Sequence, residues 1–90
     1  MKTAVEIRRA LKKLPGWSYH KKSHSIRTQI ECKNFMGAVR LIGKIARLAE
    51  KMDHHPDLYL TRYRRLKVVL TTHSAGGVTE KDLSMAGKII

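Results

Sequence analysis

The longest helical pattern in the sequence covers about residues 35–53, and no other segment restricts the possible folds as much. Asn34 precedes this segment and is a favourable N-cap residue. At about 100° per residue, apolar side chains fill roughly half of the helix circumference. Because a single sheet contact needs a narrower apolar arc, this helix is predicted to pack on its own sheet and on a partner subunit. The opposite side carries a basic stripe, which consists of Arg40, Lys44, Arg47 and Lys51.

Over about residues 25–32, side chains suited to a covered face alternate with strongly polar ones. This pattern predicts a β-strand with one covered face and one more solvated face. Weaker patterns predict strands at about residues 17–21, 58–62 and 66–72, and helices at about residues 4–13 and 80–89. Thr3 and Thr79 would cap the two outer helices, since an acidic residue follows each of them three positions later.

The element order is therefore α-β-β-α-β-β-α, without an internal repeat or a linker. Consecutive strands should pair as hairpins, and the helices should share one side of the sheet. The predicted fold class is α+β, a four-stranded antiparallel sheet covered on one face by three helices. Residues 1–90 would form a single domain.

Composition limits the compartment and the partners. No stretch approaches the roughly 20 apolar residues that span a bilayer, and the N-terminal segment lacks the apolar core of a signal peptide, so a cytoplasmic protein without membrane contact is expected. The single Cys32 cannot form an internal disulfide. The net charge of +12 favours anionic encounter partners, which include nucleic acids.

Candidate functional residues concentrate at the end of the long helix, where His54 and His55 are followed by Pro56. Glu50 lies four residues before His54 and could reach it on a continuous helix. Pro56 disfavours the α region for the residue before it, which should aim the ring of His55 away from that of His54. His73 and Asp82 are further candidates, provided that the fold brings them to this segment.

Three types of site could use these groups. A zinc site would need His54, His55 and His73, but two adjacent histidines rarely reach one tetrahedral ion, and the H-x-x-x-H and C-x-x-C spacings are absent. Covalent catalysis lacks a serine or cysteine in an elbow motif. General acid–base catalysis fits better, because neutral and protonated imidazoles can divide two proton transfers.

The sequence resembles the signature of the pterin-4a-carbinolamine dehydratases. The resemblance lies in Glu50-x-x-x-His54-His55-Pro56, Tyr63, Thr72-His73, Gly76-Gly77, Thr79 and Asp82, and it extends upstream through Gly16-Trp17 and Asn34-Phe35. It implies the same α+β fold and assembly into homodimers or homotetramers. The implied activity is loss of water from a 4a-hydroxytetrahydropterin, giving the quinonoid dihydropterin, in recycling of a tetrahydrobiopterin-type cofactor, without a metal or an organic cofactor.

The resemblance also assigns roles by position. His54 and His73 would carry out the acid–base elimination, and His55 would mainly hold the pterin. Glu50 and Asp82 would orient the imidazoles, and Trp17 would lie near the pocket.

An alternative of another class is a non-catalytic binding module of the same fold. It would bind nucleic acid, as the net charge of +12 allows, or it would act as a dimerisation partner of a transcription factor, a role that animal members of the family have.

Overall fold

A computed structural model describes all 90 residues, and its helices and strands follow the predicted order. The elements are α1 (Ala4–Leu11), β1 (Ser18–His20), β2 (Ser25–Glu31), α2 (Phe35–Met52), β3 (Asp57–Thr61), β4 (Arg65–Leu70) and α3 (Glu80–Ile89). Two short 3-10 turns, Lys21–Ser23 and His73–Ala75, follow β1 and β4. The observed ends differ from the predicted ends by at most two residues, because side-chain periodicity fades where each element begins and ends.

The four strands form one antiparallel sheet in the order β1-β2-β4-β3. The strand β4 is central, and its residue Val69 lies opposite Arg27 of β2 on one side and Asp57 of β3 on the other. The sheet therefore consists of two hairpins that are joined along β2 and β4, as the two-hairpin prediction required.

The hydrophobic core lies between one face of this sheet and the helices. Ile26 on β2 and Leu66, Val68 and Leu70 on β4 have no exposed surface, and the core contains residues from α1, α2 and α3 as well. Fully burying such a side chain stabilises the fold by about 1.5–3 kcal/mol. The alternate residues of the same strands point to the other face, which no helix covers. We refer to it as the open face. The predicted fold class is confirmed.

Side-chain caps fix where the helices start. Asn34 accepts a hydrogen bond from the backbone N–H of Gly37 at 2.7 Å and so begins α2. Thr3 with Glu6 and Thr79 with Asp82 form the predicted capping boxes of α1 and α3. In the second box the capping residue is also a candidate site residue, so the start of α3 is built into the site.

The long helix α2 ends at Met52 and is capped by Asp53, whose φ of +50° lies in the left-handed region. The chain leaves the helix axis there, and the strand β3 starts only four residues later. His54 and His55 occupy this short connection. Their backbone is therefore not helical, and this decides which carboxylates their rings meet.

The helix α2 buries only part of its apolar arc within the chain. Ala38, Ile45 and Ala49 are buried, whereas Phe35, Met36 and Val39 are 51%, 54% and 41% exposed. Its basic stripe is exposed as well. None of the helices is long and apolar enough to cross a membrane.

Candidate active site

The imidazole of His54 forms a buried ion pair with Asp82. Its Nε2 lies 2.6 Å from Oδ1 of Asp82, although the two residues are 28 positions apart in the chain. His54 is 8% exposed and Asp82 has no exposed surface. A carboxylate can only accept, so Nε2 carries the proton of this hydrogen bond. The other ring nitrogen, Nδ1, has no hydrogen-bond partner in the protein and is not fully buried.

The second oxygen of Asp82 holds the end of β4. Oδ2 accepts a hydrogen bond from the hydroxyl of Thr72 at 2.8 Å and another from the backbone N–H of Thr79 at 2.9 Å. The hydroxyl of Thr72 also lies 2.8 Å from that of Thr79. Because His73 follows Thr72 directly, one buried carboxylate fixes the ring of His54 and the backbone beside His73.

The turn that carries His73 is closed by a short bridge between Thr72 and Gly77. The N–H of Thr72 donates to the carbonyl of Gly77 at 2.9 Å, and the N–H of Gly77 donates back at 3.3 Å. Gly76 has a φ of +74°, a conformation that favours glycine. The Gly76-Gly77 pair thus lets the chain reverse within a few residues, and His73 is exposed at the start of this turn.

The predicted contact between Glu50 and His54 is wrong. Nε2 of His55, not of His54, lies 2.5 Å from Oε2 of Glu50. The i, i+4 relation requires a continuous helix, and the left-handed Asp53 interrupts it before His54. The prediction that the two rings point apart agrees with the structure, since His54 is buried and His55 is exposed.

The strand register shows on which side of the sheet each histidine lies. Continuing the pairing of Asp57 with Val69 by two residues brings His55 level with Thr71. Thr71 and His73 share a cavity with open-face residues, whereas His54 contacts Asp82 of α3 on the helix side. Side chains alternate between the faces of a sheet, and continuing this alternation beyond β3 would place His55 on the open-face side. His73 lines a cavity of about 200 Å³ on that face together with Asp57 and Thr71. A larger cavity of about 520 Å³ lies between α1 and α3 and contains none of the predicted site residues.

Trp17 lies in the hydrophobic core and is 7% exposed. No hydrogen bond joins it to the histidines, and its indole N–H is buried without a partner. Its predicted place near the pocket stays a prediction. The structure contains no cluster of three or more His, Cys, Asp or Glu residues that could hold a metal ion.

Thr72 has a larger part in this arrangement than its sequence position indicates. Within the resembling signature it is only the residue before His73, yet its hydroxyl connects Asp82 to Thr79. The capping-box spacing of Thr79 and Asp82 gave the only sequence signal that these residues meet. The contact of Thr72 with them depends on how β4 packs beside α3.

Comparison with known proteins identifies the family. A family model described as pterin 4 alpha carbinolamine dehydratase matches residues 2–90. The chain belongs to this family. The resemblance seen in the sequence is thereby confirmed, and so is the prediction of an enzyme of the dehydratase class, which is a class of lyases.

Proteins similar to this pterin dehydratase family member carry the same family name. A protein from Sulfolobus acidocaldarius, named as a pterin-4-alpha-carbinolamine dehydratase, is 45% identical over 84 residues, which are 93% of this chain and 89% of that protein. A protein of the same name from Picosynechococcus sp. is 41% identical over 85 residues, which are 94% of this chain and 89% of that protein.

Solved structures show the same fold. A Brucella melitensis protein described as a transcriptional coactivator/pterin dehydratase superposes with a TM-score of 0.92 at 39% identity, covering 98% of this chain and 93% of that one. A pterin dehydratase-like protein described as a RuBisCO assembly factor in the alpha-carboxysome has a TM-score of 0.69 at 13% identity, covering 82% and 84%. At that identity the second likeness concerns the fold alone.

Proposed function

We propose that this protein removes water from a 4a-hydroxytetrahydropterin and so forms the quinonoid dihydropterin, in recycling of a tetrahydrobiopterin-type cofactor. The catalysis is general acid–base catalysis by histidines, without a metal or an organic cofactor. Family membership supports the reaction class. The observation that carries the mechanism is the buried pair of His54 and Asp82, which leaves Nδ1 of an oriented imidazole free.

The elimination requires two proton transfers. One group donates a proton to the 4a-hydroxyl as the bond between C4a and oxygen breaks, and water leaves. Another group removes a proton from a ring N–H, and the electron pair released there forms the new double bond. In the proposal His54 and His73 divide these two transfers, and each well-placed acid or base contributes about 10²–10⁴-fold to the rate.

Asp82 acts as a positioning residue for both histidines. Its contact with Nε2 keeps that nitrogen protonated, so Nδ1 of a neutral His54 is an acceptor and Nδ1 of a protonated His54 is a donor. Its contact with Thr72 holds the strand end from which His73 projects. A shared anchor fixes the two histidines relative to each other before the substrate binds, which lowers the entropic cost of reaching the reactive geometry.

His55 is proposed to hold the pterin rather than to transfer a proton. Its side chain is 58% exposed, and Glu50 orients it through Nε2. The divergence of the two rings supports this division of roles. An exposed ring on the open-face side can contact a flat ligand, while His54 approaches from the helix side.

The decisive experiment follows dehydration of a 4a-hydroxytetrahydropterin that is generated in situ. We expect His54→Ala and His73→Ala each to lower the rate by about 10²–10⁴-fold, with circular dichroism unchanged. The control is Lys44→Gln, which removes an exposed charged side chain from the basic stripe of α2, away from the histidines. Near-normal turnover in either alanine variant would refute the assignment.

We further propose that the protein acts as a homodimer or homotetramer in the cytoplasm. The half-exposed Phe35, Met36 and Val39 on α2 support self-association. A second candidate function, partnership with a transcription factor, is motivated by the Brucella melitensis relative that is described as a transcriptional coactivator as well as a pterin dehydratase. Pull-down of a protein target that is lost when the exposed face of α2 is substituted would support this candidate.

A further inference from the structure

The open face of the sheet contains two adjoining cavities that the proposed mechanism does not use in full. One has a volume of about 200 Å³ and includes His73 at its edge. The other has a volume of about 350 Å³ and extends towards β1. Arg27 of β2 and Lys67 of β4 line both cavities, so these two side chains stand where the cavities meet.

Neither cation is paired with a carboxylate. The guanidinium of Arg27 donates to two hydroxyls, with Nε 3.4 Å from Oγ of Ser25 and Nη2 3.1 Å from Oγ of Ser23. The Nζ of Lys67 lies 4.6 Å from the centroid of the ring of Tyr59. The ion pairs of the structure involve other residues. Both cations are half-buried, and a partly desolvated charge without a counter-ion attracts an anion more strongly than a fully solvated one.

The cavity towards β1 contains no acidic residue, and its other polar lining includes Ser18, Thr28 and Gln29. The cavity with His73 contains one carboxylate, that of Asp57. Asp57 and Arg27 flank Val69 from opposite sides, which places their backbones about 10 Å apart at the usual strand spacing. The negative charge therefore lies on the β3 side of the open face, and an anion is favoured on the β1 side, beside Arg27.

We propose that Arg27 and Lys67 form a subsite for the phosphate of a pterin whose side chain is phosphorylated. This inference rests on the proposed function, since it places the reacting ring beside His73. The side chain then runs along the open face and its phosphate reaches the region between the two cations. An arginine supplies a planar pair of N–H donors and a lysine supplies a compact charge, and together they are a usual combination for phosphate.

The test compares two stable, oxidised pterins that cannot be dehydrated, one with a hydroxylated side chain and one with the same side chain esterified by phosphate. Their affinities are measured by isothermal titration calorimetry in phosphate-free buffer, for the wild type, Arg27→Gln, Lys67→Gln and the double variant. The matched control is Lys44→Gln, which removes one positive charge from the exposed stripe of α2, away from the open face. Thermal unfolding of each variant checks the fold.

We expect the wild type to bind the phosphorylated pterin at least tenfold more tightly than the unphosphorylated pterin. The ratio of these two affinities should fall in each single variant and approach one in the double variant, while Lys44→Gln keeps the wild-type ratio. Inorganic phosphate should compete with the phosphorylated pterin. These results would support the subsite, because a general effect of net charge would lower the ratio in the control as well.

Any of the following outcomes would overturn the subsite. A wild-type ratio near one, or a double variant that keeps the wild-type ratio, excludes a contact between these cations and the substrate's phosphate. Inorganic phosphate could instead tighten the binding of the unphosphorylated pterin until both pterins bind with about equal affinity. That result would mean that the subsite takes free phosphate. Binding of both pterins with equal affinity, together with normal dehydration, overturns the subsite alone, whereas absence of both binding and dehydration overturns the proposed function too.

Discussion

Asp82 is the single residue on which the geometry of the site depends most. It has no exposed surface and accepts hydrogen bonds from the ring of His54, the hydroxyl of Thr72 and the backbone N–H of Thr79. A buried carboxylate needs such partners, because burying an unpaired charge is costly. The same three contacts make the residue structural and, in the proposed mechanism, functional as well, so an experiment has to separate the two roles.

The substitution Asp82→Asn separates them through the tautomer of His54. If the amide oxygen keeps the contacts with Thr72 and Thr79, the amide N–H₂ faces Nε2, which then has to accept a hydrogen bond. We expect neutral His54 to change from the Nε2–H to the Nδ1–H tautomer. We also expect the dehydration rate to fall by about 10²-fold or more, within the range of a lost acid or base. The ¹⁵N chemical shifts of the imidazole report the tautomer directly.

The matched control for this substitution is Thr79→Ala. It removes the hydroxyl that caps α3 and contacts Thr72, but it keeps the carboxylate of Asp82. Loss of such a cap typically costs about 1 kcal/mol of stability. The control should therefore unfold more easily and keep the Nε2–H tautomer. An unchanged tautomer in Asp82→Asn would contradict the positioning role.

The contacts of the adjacent histidines show how far residue-level prediction reaches in this chain. The effect of Pro56 on His55 is local, so the divergence of the rings followed from the sequence. The partner of each ring did not follow, because Asp53 could not be recognised as a left-handed residue and because Asp82 is 28 positions from His54. Only the resemblance to a family brought Asp82 to the histidines in advance.

At the scale of the elements, periodicity predicted the type and order of every helix and strand. The alternation in β2 and the long apolar arc of α2 depend on many residues, and single exceptions do not hide them. Such patterns do not predict the strand order β1-β2-β4-β3, because this order depends on which edges of the two hairpins pair. The cavities on the open face depend on that order, because Arg27 and Lys67 become neighbours of one groove only when β2 pairs with β4.

The incompletely buried arc of α2 predicts a second copy of the chain as its partner. We expect Phe35→Lys and Val39→Lys, which place charges among half-exposed apolar residues, to convert the proposed oligomer into a monomer. Size-exclusion chromatography with light scattering measures the mass. The control is Arg40→Gln on the basic stripe of the same helix, which should keep the mass of the wild type. A wild type that is monomeric at micromolar concentration would contradict this prediction.

The capping box of α1 gives a prediction on pH. The hydrogen bond from the backbone N–H of Thr3, together with that of its side chain, lowers the pKa of Glu6 in the folded protein. A carboxyl group with a lowered pKa stabilises the fold above its unfolded pKa, and this contribution is lost as the pH falls through the folded pKa. Glu6→Gln keeps a side-chain acceptor and loses the charge. Its stability deficit in urea unfolding should thus be present near pH 7 and vanish at acidic pH, and a deficit that grows on acidification would contradict the assignment.

At the scale of the whole molecule, the two faces of the sheet differ in what they contain. The helix side contains the hydrophobic core and Asp82, the buried partner of His54. The open face is not covered by helices and carries His73 together with two cations that have no ion-pair partner. The proposed reaction takes place at the end of the molecule where the connection after α2, the end of β4 and the start of α3 meet. A chain of 90 residues can thus place a buried acid–base pair and an open binding surface next to each other.

The net charge of +12 leads to the last prediction, which separates the enzyme from a nucleic-acid-binding module. The basic residues lie on several surfaces, including α1, the stripe of α2 and the open face. Dispersed charge should give only nonspecific binding, for which Kd is typically ~10⁻⁴–10⁻⁶ M at physiological salt and rises steeply as the salt concentration rises. We expect weak binding to duplex DNA or RNA, reduced about equally by the paired substitutions Arg8→Gln with Arg9→Gln and Lys44→Gln with Arg47→Gln. Tight binding that persists at physiological salt and is abolished by only one of these pairs would instead identify a built nucleic-acid surface, because a specific contact depends on one patch whereas a diffuse field depends on the total charge.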